Sequence, residues 1–202
     1  MTVSPLIQAV EQADSAPRLT AAVGALAAAK DADAIPTLIQ VLGYNNPGAA
    51  VAAVEGLVQL GEVAVPKLLE QIDGYNYGAR AWANRALARI GDPRALNTLL
   101  EAARSDFALS VRRAAAKGLG SLDWSKLSED EINTAQKQIF EVLMQVCEDP
   151  EWVVRYAAIV GLEALGQNAE EYRSRIENRL QQLAQKDAEM AVRARSQLAL
   201  SP

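Results

Sequence analysis

Histidine is absent from all 202 residues, and cysteine occurs once, at Cys147. The first absence removes the commonest general base and the usual zinc ligand, so histidine-based hydrolase triads are excluded and no metal site is expected. The second excludes an internal disulfide and fits a reducing cytosol, which makes a cytoplasmic location the expectation. Basic residues are also short, with 20 Lys and Arg against 25 Asp and Glu and a net charge of −5. Nucleic acid, whose phosphates require a basic face, is therefore not an expected partner. No uninterrupted apolar run reaches the length of a spanning helix, so no membrane segment is expected. The opening MTVSPLIQAVEQADSAPR lacks the basic start and long apolar stretch of a secretory signal. Aromatic residues make up only 5% of the chain. What it has in quantity is aliphatic: half of its residues are hydrophobic, enough to bury a substantial core.

Those aliphatic residues repeat. AIPTLIQVL, AVPKLLEQI and GDPRALNTLL read as first helices, with Pro36, Pro66 and Pro93 near the first turn, where a missing N–H costs nothing. Alanine-rich second helices follow and align on one leucine: Leu57, Leu87, Leu119, Leu162 and Leu200. The preceding residue is always small, being Gly56, Ala86, Gly118, Gly161 or Ala199. A glycine inside a helix costs about 0.5–1 kcal/mol relative to alanine, so its recurrence at one register predicts close helix–helix approach.

A second marker shares the register. Asp106 and Arg112, Asp149 and Arg155, and Asp187 and Arg193 are each six residues apart, with each arginine seven before its anchor leucine. An aspartate in the turn can cap the second helix or meet arginines of neighbouring repeats in a charge ladder. The Asp…Val-Arg…Ala…Leu pattern resembles HEAT repeats over nearly the whole chain. The expected fold is all-α: a HEAT-repeat α-solenoid, or alpha-alpha superhelix, of about five to six helical pairs in one domain spanning 1–202. Anchor spacings of 30, 32, 43 and 38 residues place the insertions in turns. The longest unit contains SLDWSKLSEDEINTAQKQ, where Ser128 and Glu131 read as a capping box. Segments 3–12 and 172–200 read as caps of the array.

The stretch GYNYGARAWANRALARIGDPRAL, residues 74–96, concentrates two tyrosines, a tryptophan and four arginines in this aromatic-poor chain, and GYNNPGAA at 43–50 is a weaker copy of its opening. Gly74 to Gly78 reads as a turn, because Gly and Asn supply unusual backbone angles. The helix after it carries Arg80, Trp82, Asn84, Arg85 and Arg89. In a superhelix whose second helices line a concave face, Asn84, Arg85, Arg113, Lys117 and Tyr156 are the positions left for the concavity. Tyr77 and Trp152 each stand ten residues before their anchor leucine, which would set aromatic faces along one rim. Arginines beside such rings can hold carboxylates in bidentate pairs, so a flat conjugated molecule with acidic arms suits the surface. Packing and ladder formation are the competing explanations for any one of these residues. Cys147 falls on the apolar stripe of QIFEVLMQVC and reads as a buried hydrophobe rather than a substrate-carrying thiol.

The GYNYGARAWANRALARIGDPRAL stretch, the chain length and the repeat order around it resemble the smaller, F-type (beta) subunit of the E/F phycobilin lyases, heterodimeric HEAT-repeat proteins of cyanobacteria. That resemblance implies a carbon–sulfur bond-forming enzyme that attaches phycocyanobilin, its substrate, through a thioether to a cysteine of the phycocyanin alpha subunit. It implies a larger E-type partner, and no cofactor. Isomerising members carry a His-Cys motif that this chain lacks, so ligation without isomerisation is expected. Under this reading Arg80, Arg85 or Arg113 would pair with the bilin propionates. Tyr75, Tyr77, Trp82, Trp152 and Tyr156 would wall the rings, with Asn84 beside them, and Asp73 would be the candidate acid near the pyrrole nitrogens. The alternatives are a non-catalytic HEAT adaptor in phycobilisome assembly or degradation, and a protein-binding scaffold with no pigment link.

Overall fold

The computed structural model describes residues 3–71 and 76–201, and the backbone alone of Tyr77. Asp73 and Tyr75 lie outside the described residues, as does the Tyr77 side chain. The described chain is helical and contains no strand. First helices are α1 (Ser4–Glu11), α3 (Ile35–Val41), α5 (Val65–Glu70), α7 (Leu96–Ser105), α9 (Glu129–Val146) and α11 (Glu170–Lys186). Each is followed by a second helix: α2 (Ala16–Ala28), α4 (Pro47–Leu60), α6 (Tyr77–Ile90), α8 (Leu109–Leu119), α10 (Trp152–Asn168) and α12 (Met190–Ala199). Packing groups these into two units, residues 1–90 and 91–202.

Local chemistry sets the helix starts. Pro36 and Pro66 occupy the first turns of α3 and α5. Asp31 and Asp92 accept from the backbone N–H two residues on, at 3.0 and 2.9 Å, and open the short 3-10 turns ahead of α3 and α7. The capping box before α9 is present, with the Ser128 N–H donating to Glu131 Oε2 at 2.9 Å.

In unit 1, α2 packs on α4 and α4 on α6, around Leu26, Leu38, Leu57, Leu68 and Leu87. In unit 2, α8, α10 and α12 stack in that order, with α7 and α9 behind them. Leu99, Leu119, Ile139, Leu143, Ile159 and Leu162 fill the space between. Each such side chain stabilises the fold by about 1.5–3 kcal/mol on burial. Leu200 is the exception among the anchors and is half-buried. The α11 residues Glu177, Asn178, Gln181 and Gln185 stand 38 places after Ile139, Phe140, Leu143 and Cys147, and all four are exposed. That polar face is what a capping helix needs.

The small residue before the anchor does permit close approach. A Cβ on Gly161 would lie 2.4 Å from the Ala116 carbonyl oxygen, and one on Gly56 would lie 2.7 Å from the Ala27 Cβ. Only glycine lets α10 meet α8, and α4 meet α2, at that separation.

The helical stretch Pro47–Glu70 is long and apolar enough by composition to cross a membrane, although Glu55, Glu62 and Lys67 interrupt it. It is built instead as two helices of successive pairs, broken at Gly61, whose φ of 66° is left-handed. Ala49, Ala53, Val54 and Leu57 point into the unit 1 core.

Candidate functional site

The second helices of unit 2 divide their residues between fastening and display. Seven residues before the anchor stand the arginines Arg112, Arg155 and Arg193. Arg112 donates from Nη1 to the Asp106 carbonyl of its own turn at 2.8 Å, and from Nε to Asp149 Oδ2 of the next turn at 2.8 Å. Arg155 repeats the arrangement one pair later, with Nη1 on the Asp149 carbonyl at 2.9 Å and Nε on Asp187 Oδ2 at 2.8 Å. Each aspartate also accepts from the N–H two residues on, as Asp149 does from Glu151 at 2.9 Å. The Arg155 guanidinium holds the Asp187 carboxyl below the usual carboxylate range. This is the expected charge ladder. The aspartates shape the turns rather than cap the helices directly.

Display falls on the next residue. Positions ten, six and two before the anchor lie on one helical face: Leu109, Arg113 and Lys117 on α8, Trp152, Tyr156 and Val160 on α10, and Met190, Ala194 and Leu198 on α12. All are exposed except Val160, which is half-buried. Met190 and Leu198 are 74% and 64% exposed, and Trp152 is 41% exposed. Core packing therefore does not account for them. Phe107, in the turn before α8, adds a ring at 73% exposure. Neither Arg113 nor Lys117 has a carboxylate within ion-pair distance among the described residues.

Unit 1 solves the turn differently. Asn46 and Asn76 stand before α4 and α6, and their Oδ1 atoms accept from Ala49 and Ala79 N–H at 3.1 and 3.0 Å. Their amide nitrogens reach back to the preceding pair, Asn46 to the Ala16 carbonyl at 3.1 Å and Asn76 to the Gly43 carbonyl at 3.4 Å. The asparagine eleven residues before the anchor, Asn46 or Asn76, is thus a cap and a tie. Asn46 itself is extended, with φ −143°, so an unusual backbone angle is not the reason for it.

On α6 the Arg85 guanidinium lies 5.4 Å from the centre of the Trp82 ring, a cation–π distance. Arg89 grips Glu55 of α4 through both carboxylate oxygens, with Nη2 on Oε2 at 2.9 Å. That pairing lowers the Glu55 pKa. Arg80 is half-buried and stands seven residues before Leu87, the ladder register of Arg112 and Arg155. Asn84 corrects the sequence reading. It is fully buried and its Nδ2 donates to the Arg80 carbonyl at 3.0 Å, so it lies off the exposed face. The reason is register: three residues before the anchor is a packing position, as at Ala116 and Ile159.

Cys147 is 1% exposed, and burial pushes its thiol up to about 11. It borders a polar cavity of about 590 Å³ lined also by Glu148, Asp149, Arg155, Arg179, Lys186 and Asp187. A thiol held protonated there is no nucleophile at neutral pH. Among the described residues no cluster of three or more Cys, Asp or Glu forms a metal site.

Of the residues singled out from sequence, Trp82 and Arg85 meet on α6, while Trp152 and Tyr156 share one face of α10 beside Arg113 on α8. The pattern did not single out Leu109, Met190 or Leu198. Extending the register of Tyr77 and Trp152 to every anchor leucine would have found the first two.

HEAT-repeat family models match residues 3–83, 65–134 and 139–169. The chain is 60% identical over 190 residues to the phycocyanin alpha phycocyanobilin lyase CpcF of Synechocystis sp., covering 94% of this chain and 89% of that protein. It is 57% identical over 196 residues to a phycocyanobilin lyase subunit beta of Nostoc sp., covering 97% and 98%. A solved structure of the CpcE–CpcF complex of phycocyanin lyase from Nostoc sp. contains a chain 58% identical to this one, with a TM-score of 0.81 over 85% of this chain and all of that one.

Proposed function

The chain belongs to the F-type, or beta, subunit family of the HEAT-repeat phycocyanobilin lyases, and from that premise we propose that it joins a larger E-type subunit to attach phycocyanobilin to a cysteine of the phycocyanin alpha subunit. The observation that carries the reading is the placement of the rings. In a chain whose core is aliphatic apart from the stacked Phe140 and Tyr172, Trp152 and Tyr156 stand exposed on one face of α10, and Trp82 lies under the Arg85 guanidinium on α6.

The chemistry needs no nucleophile from this chain. The acceptor's thiol sulfur bonds to the bilin's exocyclic ethylidene carbon, and its proton is taken up by the tetrapyrrole, so no group leaves. What a lyase subunit supplies is position: it holds the pigment and presents one carbon to one thiol. Within unit 1, Trp82, Arg80 and Arg85 contact the pigment. Within unit 2, Trp152 and Tyr156 wall the rings and Arg113 meets a propionate. Asp73, Tyr75 and Tyr77 keep the roles of acid and ring contacts, and the site is cytoplasmic. With no histidine in the sequence, ligation proceeds without isomerisation.

Co-expression with an E-type partner, phycocyanobilin and apo-phycocyanin alpha subunit tests the reading. Covalent, zinc-fluorescent alpha subunit should form only when this chain is present, and Trp152→Ala should lower its yield with the heterodimer intact. A heterodimer that forms and leaves the alpha subunit colourless would favour the non-catalytic adaptor.

A further inference from the structure

The exposed face of unit 2 is not uniform, and its asymmetry has a direction. On α8 the display positions hold Arg113 and Lys117, one helical turn apart and therefore side by side. On α10 and α12 the same positions hold Trp152, Tyr156, Met190 and Leu198, and no charge. Since α10 packs between α8 and α12, the face runs from a cationic edge, across an aromatic middle, to an aliphatic edge. Neighbouring packed helices lie about 8–10 Å apart, so the face spans roughly 20 Å.

Two features mark this as a built surface. Among the described residues the two cations have no carboxylate partner, in a chain of net charge −5, while the adjacent Arg112 is engaged with Asp149 and two turn carbonyls. Large apolar side chains are left in water where α11 beside them turns polar residues outward. Unpaired cations next to exposed rings and aliphatic groups suit an occupant with a planar apolar body and carboxylates along one edge.

Building on the lyase reading, we propose that this face fixes the orientation of the bilin: its propionates lie against Arg113 and Lys117 on α8, and its apolar edge crosses Trp152 and Tyr156 to rest on Met190 and Leu198 of α12. Lys117, Met190 and Leu198 are thereby binding residues alongside Arg113, Trp152 and Tyr156. Charge on one edge alone fixes which long edge of the pigment faces α8, which a symmetric aromatic groove would not.

The bilin itself supplies the test, because esterifying both propionates removes the charge without changing the rings. Binding of phycocyanobilin and of its dimethyl ester to the purified heterodimer is titrated by absorbance. The wild-type heterodimer should prefer the free acid by about tenfold, the scale of one charge-assisted contact. The Arg113→Gln/Lys117→Gln variant should bind both forms within about twofold of each other, while Met190→Glu should weaken both by a similar factor and Met190→Leu should restore them. A preference for the acid that survives in the double variant overturns the orientation, as does a Met190→Glu heterodimer that binds both forms normally. A wild-type heterodimer that binds neither form overturns the lyase reading itself, and the orientation with it.

Discussion

Arg155 of α10 closes on Asp187 in the turn before α12 through two contacts, Nε and Nη2 each 2.8 Å from a carboxylate oxygen. Both side chains are largely removed from solvent, at 14% and 5% exposure, and the guanidinium is also saturated by the Asp149 and Pro150 carbonyls. A pair like this is costly to break from one side. Arg155→Ala should destabilise the protein by about 2–4 kcal/mol, because it strands a buried carboxylate. The double variant Arg155→Leu/Asp187→Leu should cost less than the two singles combined. Urea unfolding of the three variants checks the coupling.

Acid should expose the same fastening and a second one. Asp92 is held down to about 2 by the Arg94 side chain first, helped by the Arg94 N–H and by Lys126, and Asp187 is lowered by Arg155. A depressed carboxylate contributes stability above its unfolded pKa, near 3.8, and loses it as pH falls toward the folded value. For Asp92 that is ~2 kcal/mol, present at neutral pH and lost between about pH 4 and 2. Asp92→Asn should be the less stable protein at pH 7 and should show a flatter stability profile below pH 4, measured by thermal unfolding across that range.

Two glycines should answer oppositely to alanine. Gly161→Ala places a methyl 2.4 Å from the Ala116 carbonyl oxygen, so α8 and α10 must separate, at a cost of about 1–3 kcal/mol. A Cβ on Gly24 of α2 would meet nothing within 4 Å, and Gly24→Ala should stabilise by about 0.4–1 kcal/mol. Denaturant midpoints decide both.

Cys147 should prove dispensable. It is buried, with its thiol pushed up to about 11, so a thiol reagent at pH 8 should label it only on unfolding. Cys147→Ser should retain ligation. A folded Cys147→Ser protein without activity would reinstate the thiol as a carrier of substrate.

The legible part of this fold was whatever repeats. Anchor leucines, the small residue before them, the Asp–Arg spacing and the capping box at Ser128 were all readable, because each recurs at a fixed register or follows a local rule. Asn84 was misplaced because a polar side chain suggests solvent, whereas its register belongs to the packed side of α6. Gly74 to Gly78 reads as a turn chosen for backbone angle, whereas Asn76, like Asn46 one repeat earlier, caps a helix and ties back to the preceding pair, a tertiary contact that no local pattern announces. Met190 and Leu198 were not singled out, because hydrophobic residues at helical spacing do not say which of their faces is covered.

Arg112 and Arg113 are chain neighbours, as are Arg155 and Tyr156, yet the first of each couple clamps one turn to the next and the second faces water. Structural duty and chemical choice therefore occupy alternate columns of the same helices. Evolution, or an engineer, can rewrite the outward column to suit a differently shaped pigment while the clamps stay as they are.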